Sequence, residues 1–377
     1  MTKRPKKQLT RTAQCMLCRE FFTVPSDEHI VLNALGGRLS RSWMTCEKSN
    51  NDTGGDIDDK FLKALQWVTT LVNPTHRRRP APRIRSIETL EGDVMDIEPG
   101  GRVRVRHRQL EDGKWIADAD DAERATSSAE SAALARAERT GESVTVETSF
   151  GQTFNPTFPF RIEIDSHIAF RSAVKCALEA LSVAIANGGF VPDEALDPSR
   201  KYVLEGADSL LLDIGYLLEP AHPEVLQALE QSILLLQRDD GSVCFEVSTY
   251  GGIVSVAGVL PPIATRLSPW LYRVDPVTGV HSTSHPRIEA PNSVNWNTDP
   301  GVDNHQRTMD AIKRVVALWQ ARGDSANLDR MIREVLDEVW KPGTVLTEEQ
   351  SWEISGTLAE RYVEFMRNTK RLPNDDT

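Results

Sequence analysis

Long apolar runs are missing from this chain. No stretch approaches the ~20 residues that a membrane-spanning helix needs. The basic start (Lys3, Arg4, Lys6, Lys7) is not followed by the apolar region of a secretory signal. Cysteine is scarce too, with five in all, three near the start and Cys176 and Cys244 isolated. That usage excludes a disulfide framework and points to a reducing cytoplasm. No internal repeat and no nucleotide-binding glycine loop is present, and Gly36-Gly37 and Gly54-Gly55 read as turn glycines. What remains is ordinary soluble composition, 40% hydrophobic and 26% charged over 377 residues, with room for two or three domains.

A net charge of −11 argues against a nucleic-acid binder until it is divided. Residues 1–85 hold 16 Lys/Arg against 8 Asp/Glu, a balance of +8. Residues 86–377 hold 28 against 47, a balance of −19. A duplex feels charge locally, so the basic N-terminal part is the candidate contact surface.

The first 60 residues carry the chemistry. Cys15-Met16-Leu17-Cys18 is followed by Asp27-Glu28-His29-Ile30 and Ala34-Leu35-Gly36-Gly37. Then come Cys46-Glu47-Lys48-Ser49-Asn50-Asn51, Gly54 and Asp56-Ile57-Asp58. With 27 residues between Cys18 and Cys46, the cysteines have the spacing of a structural zinc site, but Ser49 stands where a fourth sulfur would complete it.

This run resembles the HNH endonuclease family, in the branch with a D-E-H-I…A-L-G-G…C-x-x-C-N-N…G…I-D pattern. The likeness covers residues 15–58. It implies a ββα-metal module fastened by a zinc knuckle, within an α+β chain whose remainder is a mixed accessory domain and a helical C-terminal region. By position, His29 would be the general base, Glu28 and Asn50 would bind a catalytic Mg²⁺ or Mn²⁺, and Asp58 would fall near the last letter of the motif. Cys15, Cys18 and Cys46 would hold zinc. A serine hydroxyl is a poor zinc ligand at neutral pH, so Ser49 would give a weaker site, use water, or yield to Asp52.

The residue types suit that chemistry independently. A neutral imidazole titrates near working pH and can take a proton from water. Carboxylate and amide oxygens suit magnesium or manganese, whereas thiolates suit zinc. Soft and hard donors in one short segment therefore imply two metals with different tasks.

Along the chain, residues 1–14 read as a flexible basic arm and 15–75 as the nuclease module, with a helix over 58–73. Residues 76–86 form a basic linker, 87–290 an α+β accessory domain and 300–377 a helical region. Arg77, Arg78 and Arg79 in the linker are candidate phosphate contacts. Alternation in Arg102-Val103-Arg104-Val105-Arg106-His107-Arg108 predicts one strand with Arg102, Arg104 and Arg106 on one face, able to track DNA or to keep a sheet edge soluble.

Further on, the patterns predict helices over 119–140 and 167–187 and strands near 143–150, 160–164, 242–247, 252–260 and 271–274. Arg171-Ser172-Ala173-Val174-Lys175 weakly resembles a helix found in larger members of the branch, and Tyr202-Val203-Leu204-Glu205-Gly206 resembles the short strand that follows it there. A loop is expected over 281–305. Three amphipathic helices near 305–321, 326–339 and 347–368 would need a partner surface, such as the middle domain or a second copy of the chain.

The leading expectation is a metal-dependent DNA endonuclease. The alternative is a catalytically silent zinc-knuckle module that binds nucleic acid or protein. A third reading makes the acidic C-terminal region a sensor restraining a nuclease in bacterial or phage defence.

Overall fold

The computed structural model describes residues 12–24, 26–75, 80–88, 94–104, 106–109, 115–118, 122–141, 162–185, 193–206, 213–291, 296–298, 301–339 and 347–368. Residues 1–11 of the expected arm, the linker residues Arg77, Arg78 and Arg79 and the strand near 143–150 lie outside them, while the arm's last residues, Ala13–Gln14, form a strand rather than a flexible end. Helices and strands are mixed, as an α+β class requires. The chain forms two compact units, residues 1–84 with 160–316 and residues 85–159 with 317–377. This division crosses the linear one read from the sequence, because the expected accessory domain contributes to both units.

The first unit begins with β1 (Ala13–Gln14) paired to β2 (Phe21–Phe22), then β3 (Glu28–His29) paired to β4 (Ser40–Arg41). Helix α1 (Glu47–Thr53) follows, then a π-helical turn over Gly54–Asp58, α2 (Asp59–Ala64) and α3 (Gln66–Val72). Helix thus starts about eleven residues before the expected 58–73. Cys46 caps α1 through its sulfur, which accepts from the Ser49 amide at 3.4 Å, and this local cap is what the apolar pattern does not register.

After the second unit's first segment, the chain returns with α5 (Ser166–Ile185) and α6 (Asp197–Glu205), numbered after the helix α4 described below. The strand expected at Tyr202–Gly206 is instead the end of α6. An Asp193 side chain opens the preceding turn, Pro198 occupies the first helical turn, and Gly206 closes it at φ +67°. Hydrophobic residues in that segment face the core at helical spacing.

A seven-stranded antiparallel sheet completes this unit. Its strands are β10 (Asp213–Leu217), β11 (Gln231–Gln237), β12 (Val243–Thr249), β13 (Val254–Leu260), β14 (Trp270–Val274), β15 (His281–Ser284) and β16 (Trp296–Asn297), in the order β15-β14-β11-β12-β13-β10-β16. β15 and β16 replace part of the loop expected over 281–305. The register pairs Leu234 with Glu246 and Glu246 with Ala257. α5 lies against β11, β12 and β13.

That sheet anchors the loop between β3 and β4. The Tyr272 hydroxyl accepts from the Arg38 and Leu39 amides at 3.1 and 3.2 Å, and Gln231 Nε2 donates to Leu35 O at 3.0 Å. Gly36 sits at φ +97°, and a Cβ on Gly37 would fall 1.8 Å from Val31 O, so the tight turn needs both glycines.

Away from α5, Leu234, Leu236, Cys244 and Leu271 form a small apolar core flanked by Ala221, Leu226, Ile288 and Ala290. Glu246 lies beside Leu234 on that face, and both its oxygens accept from the Ala221 amide, at 3.0 and 3.2 Å. Burial pushes its carboxyl up to about 7 against the opposing pull of that amide and of Arg307. A carboxyl raised on folding favours the folded state below its unfolded value near 4.5, and that contribution is lost as pH rises through about 7. Glu246→Gln is therefore expected to match the wild type near pH 4.5 and to exceed it at pH 8 by up to about 3 kcal/mol. Urea melts across that range check it, and a difference that does not grow with pH contradicts it.

The second unit holds β5 (Ile84–Glu88), β6 (Val94–Ile97) and β7 (Val103–Arg104) in one sheet, and β8 (Arg106–Gln109) with β9 (Trp115–Asp118) in another. The single strand expected over Arg102–Arg108 is therefore two strands with different partners: exposed Arg102 precedes β7, which Arg104 ends, and Arg106 opens β8. α4 (Ala122–Thr140) follows. Helix α7 (Gly301–Val339) is one 39-residue helix where two were expected, and α8 (Glu348–Asn368) follows it. From Ala317 onward α7 belongs to this unit. Gly323 sits inside α7 without ending it. Trp319 Nε1 donates to Gly101 O at 2.9 Å, and Arg361 pairs with Glu338 at 2.7 Å between α8 and α7.

Candidate functional site

The knuckle is built from two turns. Cys15, Cys18 and Cys46 bring their sulfurs within 4.8 Å of one another, and this trio is a group able to hold a metal such as zinc. Ser49 is buried beside them, with its Oγ 3.5 Å from Cys15 Sγ and 3.4 Å from Cys46 Sγ. Cys18 Sγ lies 3.6 Å from Cys46 Sγ. A tetrahedral zinc with bonds of about 2.3 Å to sulfur and 2.0–2.2 Å to oxygen requires sulfur–sulfur edges near 3.8 Å and sulfur–oxygen edges of about 3.5–3.7 Å. The Cys18–Cys46, Ser49–Cys15 and Ser49–Cys46 distances lie near these edges.

Electrostatics separate two of the thiols. Burial pushes Cys18 up to about 12 despite a hydrogen bond with Ser49. Burial also acts on Cys46, but hydrogen bonds from Ser49 and the other cysteines outweigh it and hold that thiol below its ordinary value. Cys46, at the start of α1, thus gives up its proton more readily than Cys18.

α6 braces this knuckle. Arg200 Nε donates to Met16 O at 2.7 Å, and Arg19, at φ +62°, pairs with Glu194 at 2.7 Å and Asp197 at 2.9 Å.

Glu28 and His29 share β3, so their side chains leave on opposite faces. On the outer side, Asn33 Nδ2 lies 3.3 Å from His29 Nε2 and donates to Gly37 O at 3.3 Å. The bond to Gly37 O fixes the Asn33 amide beside the His29 ring, whose tautomer sets the direction of the Asn33–His29 contact.

Glu28 points inward to a buried ammonium. Lys175 Nζ, from α5, lies 2.8 Å from Glu28 Oε1, 2.7 Å from Asp58 Oδ2 and 3.9 Å from Glu179 Oε1. All four residues are at most 8% exposed. Burial alone lowers a lysine, but Glu179, Asp58 and Glu28 override it and keep Lys175 charged well above its ordinary range. Burial raises Glu28 and Asp58 while Lys175 pulls both back, and it raises Glu179, which has the longest of the three contacts, well above the usual carboxylate range.

Spacing explains the assembly. Arg171, Lys175 and Glu179 recur every four residues and line one face of α5. Asp56 and Asp58 come from the π-helical turn: Asp56 takes Arg171 at 2.7 Å, and Asp58 takes Lys175. Arg171 also donates to Val203 O at 2.6 Å, tying α6 into the same cluster.

The expected ligand pair Glu28 and Asn50 is arranged differently. Asn50 Nδ2 donates to Ser26 Oγ at 2.6 Å, while Glu28 is brought to Asp58 by Lys175. Among the described residues, the cysteine trio is the one group of three or more Cys, His, Asp or Glu at metal-ligand spacing. Lys175, Glu179, Arg171 and Asn33 were not assigned roles from sequence. The four-residue repeat on α5 was visible there, but nothing local joined it to a hairpin 147 positions away.

Comparisons with protein-family models, with curated proteins and with solved structures found no match for this chain. No helix among the described residues is long and apolar enough to cross a membrane.

Proposed function

We propose that this chain is a metal-dependent endonuclease of the HNH type that hydrolyses DNA phosphodiester bonds. The observation that carries the reading is the order hairpin, knuckle, helix: β3 bears Glu28-His29, β4 closes the hairpin, and Cys46 caps α1. His29, on the opposite face of β3 from Glu28, is the general base this reading gives to the attacking water. The 3′ oxygen departs as the phosphate bond breaks. Glu28 and Asn50 are the ligands this reading gives to Mg²⁺ or Mn²⁺, and Cys15, Cys18, Cys46 and Ser49 hold structural zinc. The basic residues of 1–85 supply the contact with phosphates.

One observation favours the silent module as a second reading, namely that Glu28 is buried against Lys175. Nicking of supercoiled plasmid separates the two. The nuclease reading expects nicks with Mg²⁺ or Mn²⁺ and none with EDTA, whereas intact plasmid under every ion supports the silent module.

A further inference from the structure

The carboxylates of Glu28, Asp58 and Glu179 surround one side chain that carries positive charge, and nothing in the nuclease reading uses it. Lys175 Nζ is hydrogen-bonded to Glu28 Oε1 and Asp58 Oδ2. Two further oxygens in this pocket, Asp58 Oδ1 and Glu179 Oε1, are buried without a hydrogen-bond partner. Even with Glu179 protonated, two carboxylates face one ammonium, and an unbalanced buried charge is costly. Oxygen donors in excess of their counter-charge, two of them unpartnered, are the surroundings a divalent cation takes.

We propose that the Lys175 ammonium is the resident cation of this carboxylate cluster, occupying the position between Glu28 and Asp58 that a divalent ion would take, so that the chain itself closes its candidate hydrolytic site. The geometry is that of occupation. The ammonium contacts of 2.7 and 2.8 Å are ordinary charge-assisted hydrogen bonds, whereas Mg²⁺ demands about 2.0–2.1 Å from each oxygen. A cation and the ammonium cannot share the gap, since like charges at contact in a buried site repel strongly. Loading Glu28 with an ion thus requires Lys175 to withdraw along α5. This rests on the reading of Glu28 as a metal ligand, and it adds a restraint on that ligand which the reading does not contain.

The test is Mn²⁺ binding to the full-length, zinc-loaded protein by titration calorimetry, comparing wild type, Lys175→Met and Lys175→Met/Glu28→Gln. Methionine keeps the length and packing of the lysine stem without its charge. The expected result is Mn²⁺ binding at least about tenfold tighter in Lys175→Met than in wild type, since the removed charge is a close competitor. Adding Glu28→Gln should abolish that gain. If Lys175→Met folds poorly, recovery of its melting transition by millimolar Mn²⁺ and not by Na⁺ supports the inference, and no recovery counts against it. Equal or weaker Mn²⁺ binding in Lys175→Met overturns it. A variant that takes up Mn²⁺ but nicks no plasmid sustains the inference and removes the nuclease reading. A wild type that nicks, with Mn²⁺ binding unchanged by Lys175→Met, removes the inference alone.

Discussion

His29→Ala is expected to lower plasmid nicking by about 10²–10⁴-fold while leaving the melting temperature and DNA affinity nearly unchanged. The range is the loss that accompanies removal of a positioned general base. His29 contributes little to the core, being partly exposed on a two-residue strand, so the fold does not depend on it. Its ring is held by Asn33, and Asn33 is held in turn by Gly37 O, in a turn that requires both glycines. Asn33→Ala should consequently give a smaller loss than His29→Ala, because it frees the ring without removing the base. Cleavage by His29→Ala at wild-type rate contradicts the assignment of the base.

Ser49→Cys is the second large effect, and it acts on zinc. The hydroxyl already stands 3.4 and 3.5 Å from two sulfurs, so the thiol needs little rearrangement to become the fourth ligand. Structural zinc contributes about 10–16 kcal/mol over four ligands, or roughly 3 kcal/mol per ligand. Exchanging a weak ligand for a thiolate should tighten zinc on the order of 100-fold and raise the melting temperature of the first unit. Competition with a chromophoric chelator reads the affinity directly. If wild-type protein holds zinc as tightly as Ser49→Cys, the hydroxyl is already a full ligand or another group supplies the fourth bond. Stability gained through Ser49→Cys should also depend on zinc and vanish in excess chelator. A gain that persists in metal-free protein would come from packing and not from coordination.

How much of this was readable in the residues follows a physical line. Local chemistry was readable. Cysteine spacing placed three sulfurs together, and the A-L-G-G run gave a tight turn because two positions there exclude a side chain. Apolar repetition found α5 and the paired strands β12 and β13. β11, with its continuous Ile233-Leu234-Leu235-Leu236 run, escaped because a strand buried on both faces has no alternation to detect. Tyr202–Gly206 was misread because so short a segment carries less information than the Asp193 cap and Pro198 that precede it and the Gly206 that closes it. Helix α7 was divided at Gly323, where a single glycine costs only about 1 kcal/mol within a long helix.

The candidate site was half readable for a related reason. Glu28, His29, Ser49 and Asp58 lie within one short segment, so motif order exposed them. Their ionic partner did not belong to that segment. Lys175 reaches Glu28 and Asp58 across 147 and 117 positions, and a lysine on an apolar helix face reads equally well as a snorkelling surface residue. Only packing of α5 against the π-helical turn reveals that it is buried. The same packing explains why residues 160–316 group with the β3–β4 hairpin.

The most direct test of the nuclease reading is the chemistry of the ends left on nicked plasmid after incubation with Mn²⁺. Attack by water with departure of the 3′ oxygen leaves a 5′ phosphate and a 3′ hydroxyl, so DNA ligase should reseal the nicks, and EDTA or His29→Ala should prevent their formation. Plasmid that stays supercoiled with every divalent ion, or nicks that form equally in EDTA, would contradict the account.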